Sequence, residues 1–322
     1  MHKIKLLFHS SISIIITFFC IFFFIKNSNS EFNLSEIINC IFYGWTYLLL
    51  ACLLLIFSVY CRANRWKYLF NSNQIKETNF LFKSQFVGYF INNISPIRIG
   101  DLIRSYMVSK NTSHNTSYII GSIAMERFLD ILMILFFTIL VVWHYGIDYL
   151  EIYYNTLPNY FYIVLFLMAI IIYLIYKLNF LFPDRINKIF AELWKGFSDI
   201  KSIYKKQIII YSILIWAIYG MNVFLIQAMF QKFELNIFDC LLILVASSFL
   251  QMVPIGFGSA GVFHLGIQGV LNKLGIQNYH SFIIMLHLYS IIIYTIIGGY
   301  YFLKRKELSI KNIYNESFRT VN

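Results

Sequence analysis

Charge is what this chain has least of: Asp, Glu, Lys and Arg make up 13% of its 322 residues. A soluble domain of that size carries about a quarter. Hydrophobic residues reach 59%, so an ordinary soluble globular domain is excluded. Cysteine is also sparse. Cys20, Cys40, Cys52, Cys61 and Cys240 fall in or beside apolar runs and form no CxxC pair. They read as small buried hydrophobes, which excludes a disulfide framework and a cysteine metal site. His280 and His287 stand seven apart, but no carboxylate or cysteine completes a ligand set, so neither metal nor cofactor is expected. The phosphate-binding G-x-x-x-x-G-K-[ST] loop, H-E-x-x-H, G-x-S-x-G and a D-x-D pair are all missing. The longest loop, 61–117, has no room for a soluble catalytic domain. The net charge of +11 would suit nucleic acid, but no long basic tail and no nucleic-acid motif accompany it. Nucleic acid is therefore excluded as a partner.

What the chain does have is long apolar runs. A helix needs about 20 apolar residues to cross a bilayer. Six stretches meet that length: 6–25, 38–60, 118–142, 160–176, 208–229 and 281–303. The first follows His2-Lys3-Ile4-Lys5. It is longer than a signal-peptide core and no small-residue cleavage site follows, so it reads as a retained helix. The spacing predicts one all-α integral membrane domain over 1–322. It is a polytopic helical bundle of about six full spans plus two re-entrant hairpins, eight membrane segments in all.

Lys and Arg set the orientation. With the N-terminus in the cytoplasm, Lys3, Lys5 and the segments 61–117, 177–207 and 304–322 hold 22 of the 26 basic residues. Lys26, Lys232 and Lys273 lie outside, and Arg127 is intramembrane. The chain thus reads as a multi-pass protein of the cell inner (plasma) membrane with both termini cytoplasmic. Residues 183–206 carry Ile186, Ile189, Phe190, Leu193, Phe197, Ile200 and Ile203 at helical spacing, with Lys188, Lys195 and Lys201 between them. This predicts a cytoplasmic amphipathic helix drawn to anionic lipid. Residues 306–322 form a polar tail.

The two hairpins enter from opposite faces. Residues 80–94 are short for a span and have basic clusters on both sides. Residues 237–253 and 262–274 must start and end outside. Two short full crossings in place of either hairpin would give the same parity. Each hairpin turns at a Pro-Ile-x-x-Gly element, Pro96 to Gly100 and Pro254 to Gly258. Interrupted helices at matching places in two halves of a chain point to a transporter site. Gly256, Gly258 and Gly261 allow close backbone packing, and Pro254 ends the preceding helix.

Charges within the apolar segments mark the candidate site. Each costs about 2.5–3.5 kcal/mol at mid-membrane, so it normally faces protein or a wet cavity. Glu126, Arg127 and Asp130 fall within one turn and can share a helix face. Alone they leave a net −1. They either form a functional polar cluster or lock two helices through an Arg127–Asp130 pair, with Arg98 or Arg104 as a further partner. Arg98, Asp101 and Arg104 follow the first turn at i, i+3, i+6. They read as a phosphate site, because arginine forks match phosphate oxygens, or as an ion network capping the hairpin. Arg62, Arg65 and Lys67, with Trp66, read as an interface anchor. His264 reads as hydrogen-bonded packing or as a functional group.

Three stretches resemble one known family. Asn92-Asn93-Ile94-Ser95-Pro96-Ile97-Arg98-Ile99-Gly100-Asp101-Leu102-Ile103-Arg104 looks like a Pro-x-R-x-Gly-[Asp/Glu]-x-x-Arg element. Glu126-Arg127-Phe128-Leu129-Asp130 looks like a Glu-Arg-x-x-Asp helix. Pro254 through His264 looks like a Pro-x-x-x-Gly-x-x-Gly-Val loop. Together they are similar to the membrane domain of lysylphosphatidylglycerol synthases, also called the flippase-like or UPF0104 family, over roughly residues 5–305. The family usually has a Glu shortly after the last Gly-Val, where this chain has His264. Its full-length members join the membrane part to a cytoplasmic aminoacyltransferase, and some relatives carry a glycosyltransferase. The resemblance implies a standalone lipid-translocating half. The partners it implies are membrane lipids, an anionic phospholipid or a lipid-linked intermediate, and a separate cytoplasmic transferase. The expected function is movement of a phospholipid or lipid-linked head group between leaflets. The alternative is a membrane-embedded enzyme or accessory subunit acting on a lipid phosphate, with Asp101 and Glu126 as an acid–base pair.

Overall fold

A computed structural model describes residues 34–70, 77–95, 98–146, 183–200, 202–230, 233–252, 259 and 261–304. Regular structure among them is helical throughout. Among the described residues, four helices are long and apolar enough to cross a membrane: α1 (Leu34–Tyr68), α4 (Thr116–Tyr145), α6 (Lys205–Ala228) and α9 (His280–Leu303). At 1.5 Å per residue even α6 reaches about 36 Å, past the roughly 30 Å hydrocarbon core. In that core the backbone must satisfy its own hydrogen bonds, so apolar runs of this length fold as helices. These four coincide with the expected spans 38–60, 118–142, 208–229 and 281–303. The expected spans 6–25 and 160–176 and the tail 306–322 lie outside the described residues.

Among the described residues, two helix–break–helix units accompany these four helices. The first joins α2 (Thr78–Ile94) to α3 (Gly100–Lys110). The second joins α7 (Ile237–Met252) to α8 (Val262–Lys273). The longest of these helices, α2, has 17 residues and reaches about 26 Å, short of a full crossing. Pro96, Pro254, Gly256 and Gly258 lie outside the described residues.

The first break is clasped from within. The Gly100 N–H donates to Asn92 Oδ1 at 2.8 Å. A Cβ on Gly100 would come 2.0 Å from the Gly88 carbonyl oxygen, so only glycine lets α3 fold back this closely on α2. In turn α2 lies on α9, where Tyr89 and Tyr294 stack with centroids 4.5 Å apart.

The main apolar core joins α1, α6, α7, α8 and α9 through buried Leu55, Trp216, Ile226, Leu242, Ile267 and Phe282. A second cluster, with Trp66, Leu81, Tyr118 and Ile119, closes the other end of α1 against α2 and α4. Phe42, Tyr43, Trp143 and Leu303 are exposed on the outside, as lipid-facing residues are.

The amphipathic segment differs from its expectation. Helix α5 (Pro183–Ser198) stops short of residue 206 and is followed by a 3₁₀ turn at Ser202–Tyr204. Tyr118 Oη of α4 donates to Asp199 Oδ2 at 2.8 Å just past the helix end. The helix packs against α4 through Gly196, where a Cβ would lie 1.9 Å from the Tyr118 carbonyl oxygen. Ile189, Phe190 and Trp194 stay exposed. Its apolar face is thus divided between protein and the outside.

Candidate functional site

Helix α4 turns Glu126 and Asp130, one turn apart, into the protein, where they are 1% and 3% exposed. Their cations come from α1. Asp130 Oδ2 accepts from Arg62 Nη1 at 3.0 Å, and Oδ1 accepts from Arg65 Nη2 at 2.9 Å and from Trp216 Nε1 at 3.3 Å. Arg62 Nε donates to Tyr219 Oη at 2.7 Å, and Arg65 Nη1 to Ser212 Oγ at 3.2 Å. Glu126 Oε1 accepts from Gln85 Nε2 at 3.2 Å, and Oε2 lies 3.1 Å from Arg104 Nη1. Arg104 Nη1 also donates to Gln85 Oε1 at 2.5 Å, and its guanidinium lies over the Trp66 ring.

The interface-anchor reading of Arg62, Arg65 and Trp66 is therefore corrected. Arg65 and Trp66 are fully buried and Arg62 is 7% exposed. Helix α1 runs past its apolar stretch to Tyr68 and carries these side chains onto the carboxylates of α4. Burying charges requires such pairing, because uncompensated ions in a low-dielectric interior are costly.

Arg127 points to the neighbouring face of α4. It does not pair with Asp130 among the described salt bridges but donates through Nη2 to Asp101, at 3.0 Å to Oδ2. Asp101 also meets Arg104 Nε at 3.0 Å. The ion network thus holds Arg62, Arg65, Arg104 and Arg127 against Asp101, Glu126 and Asp130. Four cations against three anions make it net +1, where the sequence cluster of 126, 127 and 130 alone gave −1. Asp101 and Glu126 share Arg104 as their common cation.

Arg98 leaves this group. It lies before α3 and reaches across to the second break, donating to the Gln251 carbonyl and to Ser259 Oγ. Ser259 sits in the left-handed region at φ 62°. The two interrupted elements therefore meet. Gly261, at φ 91°, caps α8, and its N–H donates to His264 Nδ1 at 3.2 Å. A glutamate at this third helical position would accept the same N–H, as in a capping box. His264 also packs edge-on against His287, with centroids 5.2 Å apart.

These elements enclose a cavity of about 490 Å³. Its wall includes Arg62, Arg98, Asp101, Arg127 and Asp130, three cations against two anions. Tyr89, Tyr219, Tyr289 and Tyr294 add aromatic faces, and Ser247, Ser248, Ser290 and Asn93 add neutral polar groups. Glu126, Arg65 and Arg104 stand behind the wall as supports. The tyrosines and serines carry no sequence signal, because each is ordinary within an apolar helix.

The family model described as Lysylphosphatidylglycerol synthase TM region matches residues 10–298. The chain belongs to this family. It is a polytopic helical membrane protein. Similar proteins include two UPF0104 membrane proteins of Methanocaldococcus jannaschii. One is 36% identical over 139 residues, 40% of this chain and 39% of the relative. The other is 26% identical over 212 residues, 64% of this chain and 88% of the relative. The match thus spans well under half the length of the first relative and most of the second. No solved structure matches the chain. The family match covers α1 to α8 and α9 as far as residue 298, so the ion network and the cavity lie within the shared membrane region.

Proposed function

We propose that this protein binds the head group of an anionic phospholipid or lipid-linked intermediate in its cavity and moves it between the leaflets of the cell inner (plasma) membrane. The observation that carries this reading is the arginine-rich cavity where the two interrupted helix units meet. Non-helical backbone at membrane depth is tolerated where protein or a water-filled cavity satisfies it. Arg62, Arg98 and Arg127 offer guanidinium donors to phosphate oxygens, while acyl chains stay in lipid. The bias of the basic residues supports an orientation with the cavity's charged end toward the cytoplasm. Glu126 lies ten residues, about 15 Å, into α4 from its basic-flanked start.

A translocation assay tests this. Purified protein is placed in liposomes with a fluorescent anionic phospholipid, and the accessible fraction is followed after dithionite addition. Wild type should translocate faster than protein-free liposomes. Arg98→Gln combined with Arg127→Gln should slow it by about tenfold or more, the effect of losing charge-assisted bonds. Both side chains line the cavity, and Arg104 still holds Asp101 in the variant. Because Arg98 also ties the two breaks together, Arg127→Gln alone is measured beside it as the variant that leaves that tie intact. Equal rates for wild type and a folded double variant reject the path.

A further inference from the structure

Which head group fits is written in the bonding state of the cavity wall. Its two lining carboxylates are both paired with arginine. Asp101 accepts from Arg127 and lies 3.0 Å from Arg104 Nε, and Asp130 accepts from Arg62, Arg65 and Trp216. A head-group ammonium would meet no lining carboxylate that lacks an arginine among the described residues. Donors, in contrast, remain. Arg127 bonds through Nη2 alone among the described residues, to Asp101, which leaves Nε and Nη1 for an anion. With three lining arginines against two aspartates, the cavity complements a phosphate.

Away from the arginines the wall changes character. Ser247 Oγ and Ser248 Oγ donate to the Leu244 carbonyl at 2.9 and 2.7 Å, and Ser290 Oγ donates to the His287 carbonyl at 2.8 Å. Their protons are spent inside their own helices, so their oxygens can only accept from the cavity. Acceptors of this kind match hydroxyl donors. The stacked Tyr89 and Tyr294 supply a flat face beside them.

We infer that the cavity takes a phosphate esterified to an uncharged polyhydroxylated group, a sugar or cyclic polyol, and discriminates against ammonium head groups. This rests on the head-group reading above and names its substrate class. The volume of about 490 Å³ is of the size that holds small polar ligands.

Binding to the purified full chain, read by native mass spectrometry with added lipids, tests it. Phosphatidylinositol should bind about tenfold tighter than phosphatidic acid, which has the phosphate alone, and tighter still than phosphatidylethanolamine. Ser247→Ala with Ser290→Ala should bring phosphatidylinositol down to the level of phosphatidic acid and leave phosphatidic acid unchanged. Phosphatidylethanolamine binding as well as phosphatidylinositol overturns the inference and leaves the head-group reading intact. Phosphatidylinositol and phosphatidic acid binding equally removes the polyol assignment. Free inositol phosphate displacing the lipid at equal concentration overturns the lipid attachment. If none of these lipids binds, the head-group reading falls together with the inference.

Discussion

Asp130 takes hydrogen bonds from Arg62, Arg65 and Trp216, and all four side chains are buried. Removing the carboxylate leaves two buried guanidinium groups with the longer Glu126 contacts at 3.9 and 3.6 Å in place of close pairs. Asp130→Ala should therefore lower stability by about 3–5 kcal/mol, read as a fall in thermal midpoint in detergent. Arg127→Gln should cost about 1 kcal/mol or less, because the Arg127–Asp101 pair has side chains 43% and 36% exposed. A similar loss in both variants would mean that Arg127 is structural and does not face a wet cavity. Glu126, Arg127 and Asp130 were legible in the sequence because charge inside an apolar run has few explanations. Arg62 and Arg65 were not, because basic residues after an apolar run usually sit at the headgroups. Their signal was the charge balance. Two carboxylates with one local arginine demanded cations from elsewhere, and Arg62 and Arg65 lie at i, i+3 on one face of α1.

At the scale of elements, the first hairpin depends on its glycine clasp. A Cβ at Gly100 would stand 2.0 Å from the Gly88 carbonyl oxygen and 2.6 Å from Asn92 Oδ1. The first of these is backbone and cannot swing away. Gly100→Ala should force α3 off α2, lower stability by about 1–3 kcal/mol and displace Arg104 from Glu126. Limited proteolysis at 95–99 would rise in the variant; wild-type resistance would contradict the clasp. Pro/Gly signals marked this break and its counterpart in the sequence, and the four observed spans follow from their apolar lengths. The docking of α5 did not follow. An amphipathic face looks the same whether it meets lipid or protein, and only Gly196 in its middle hinted at a close helix neighbour.

At the scale of the molecule, α1, α2, α3 and α4 build the ion network, and α6 to α9, together with Tyr89 and Asn93 of α2, add the polar and aromatic remainder of the cavity. Neither set is a site alone. The meeting of the two breaks through Arg98, Gln251 and Ser259 gives the molecule its polar interior. Sequence alone could propose that two interrupted units meet, from their shared Pro-Ile-x-x-Gly pattern. Which side chains face the cavity depends on helix rotation, which periodicity does not fix in helices that are apolar all round.

The central claim is that a lipid head group passes through this cavity. It is tested most directly by blocking it. Ser290→Cys, in a background with Cys20, Cys40, Cys52, Cys61 and Cys240 replaced, places a thiol in the wall. A water-soluble methanethiosulfonate reagent should label it in proteoliposomes, stop translocation and release the block when reductant is added. Full labelling with translocation unchanged would contradict the account.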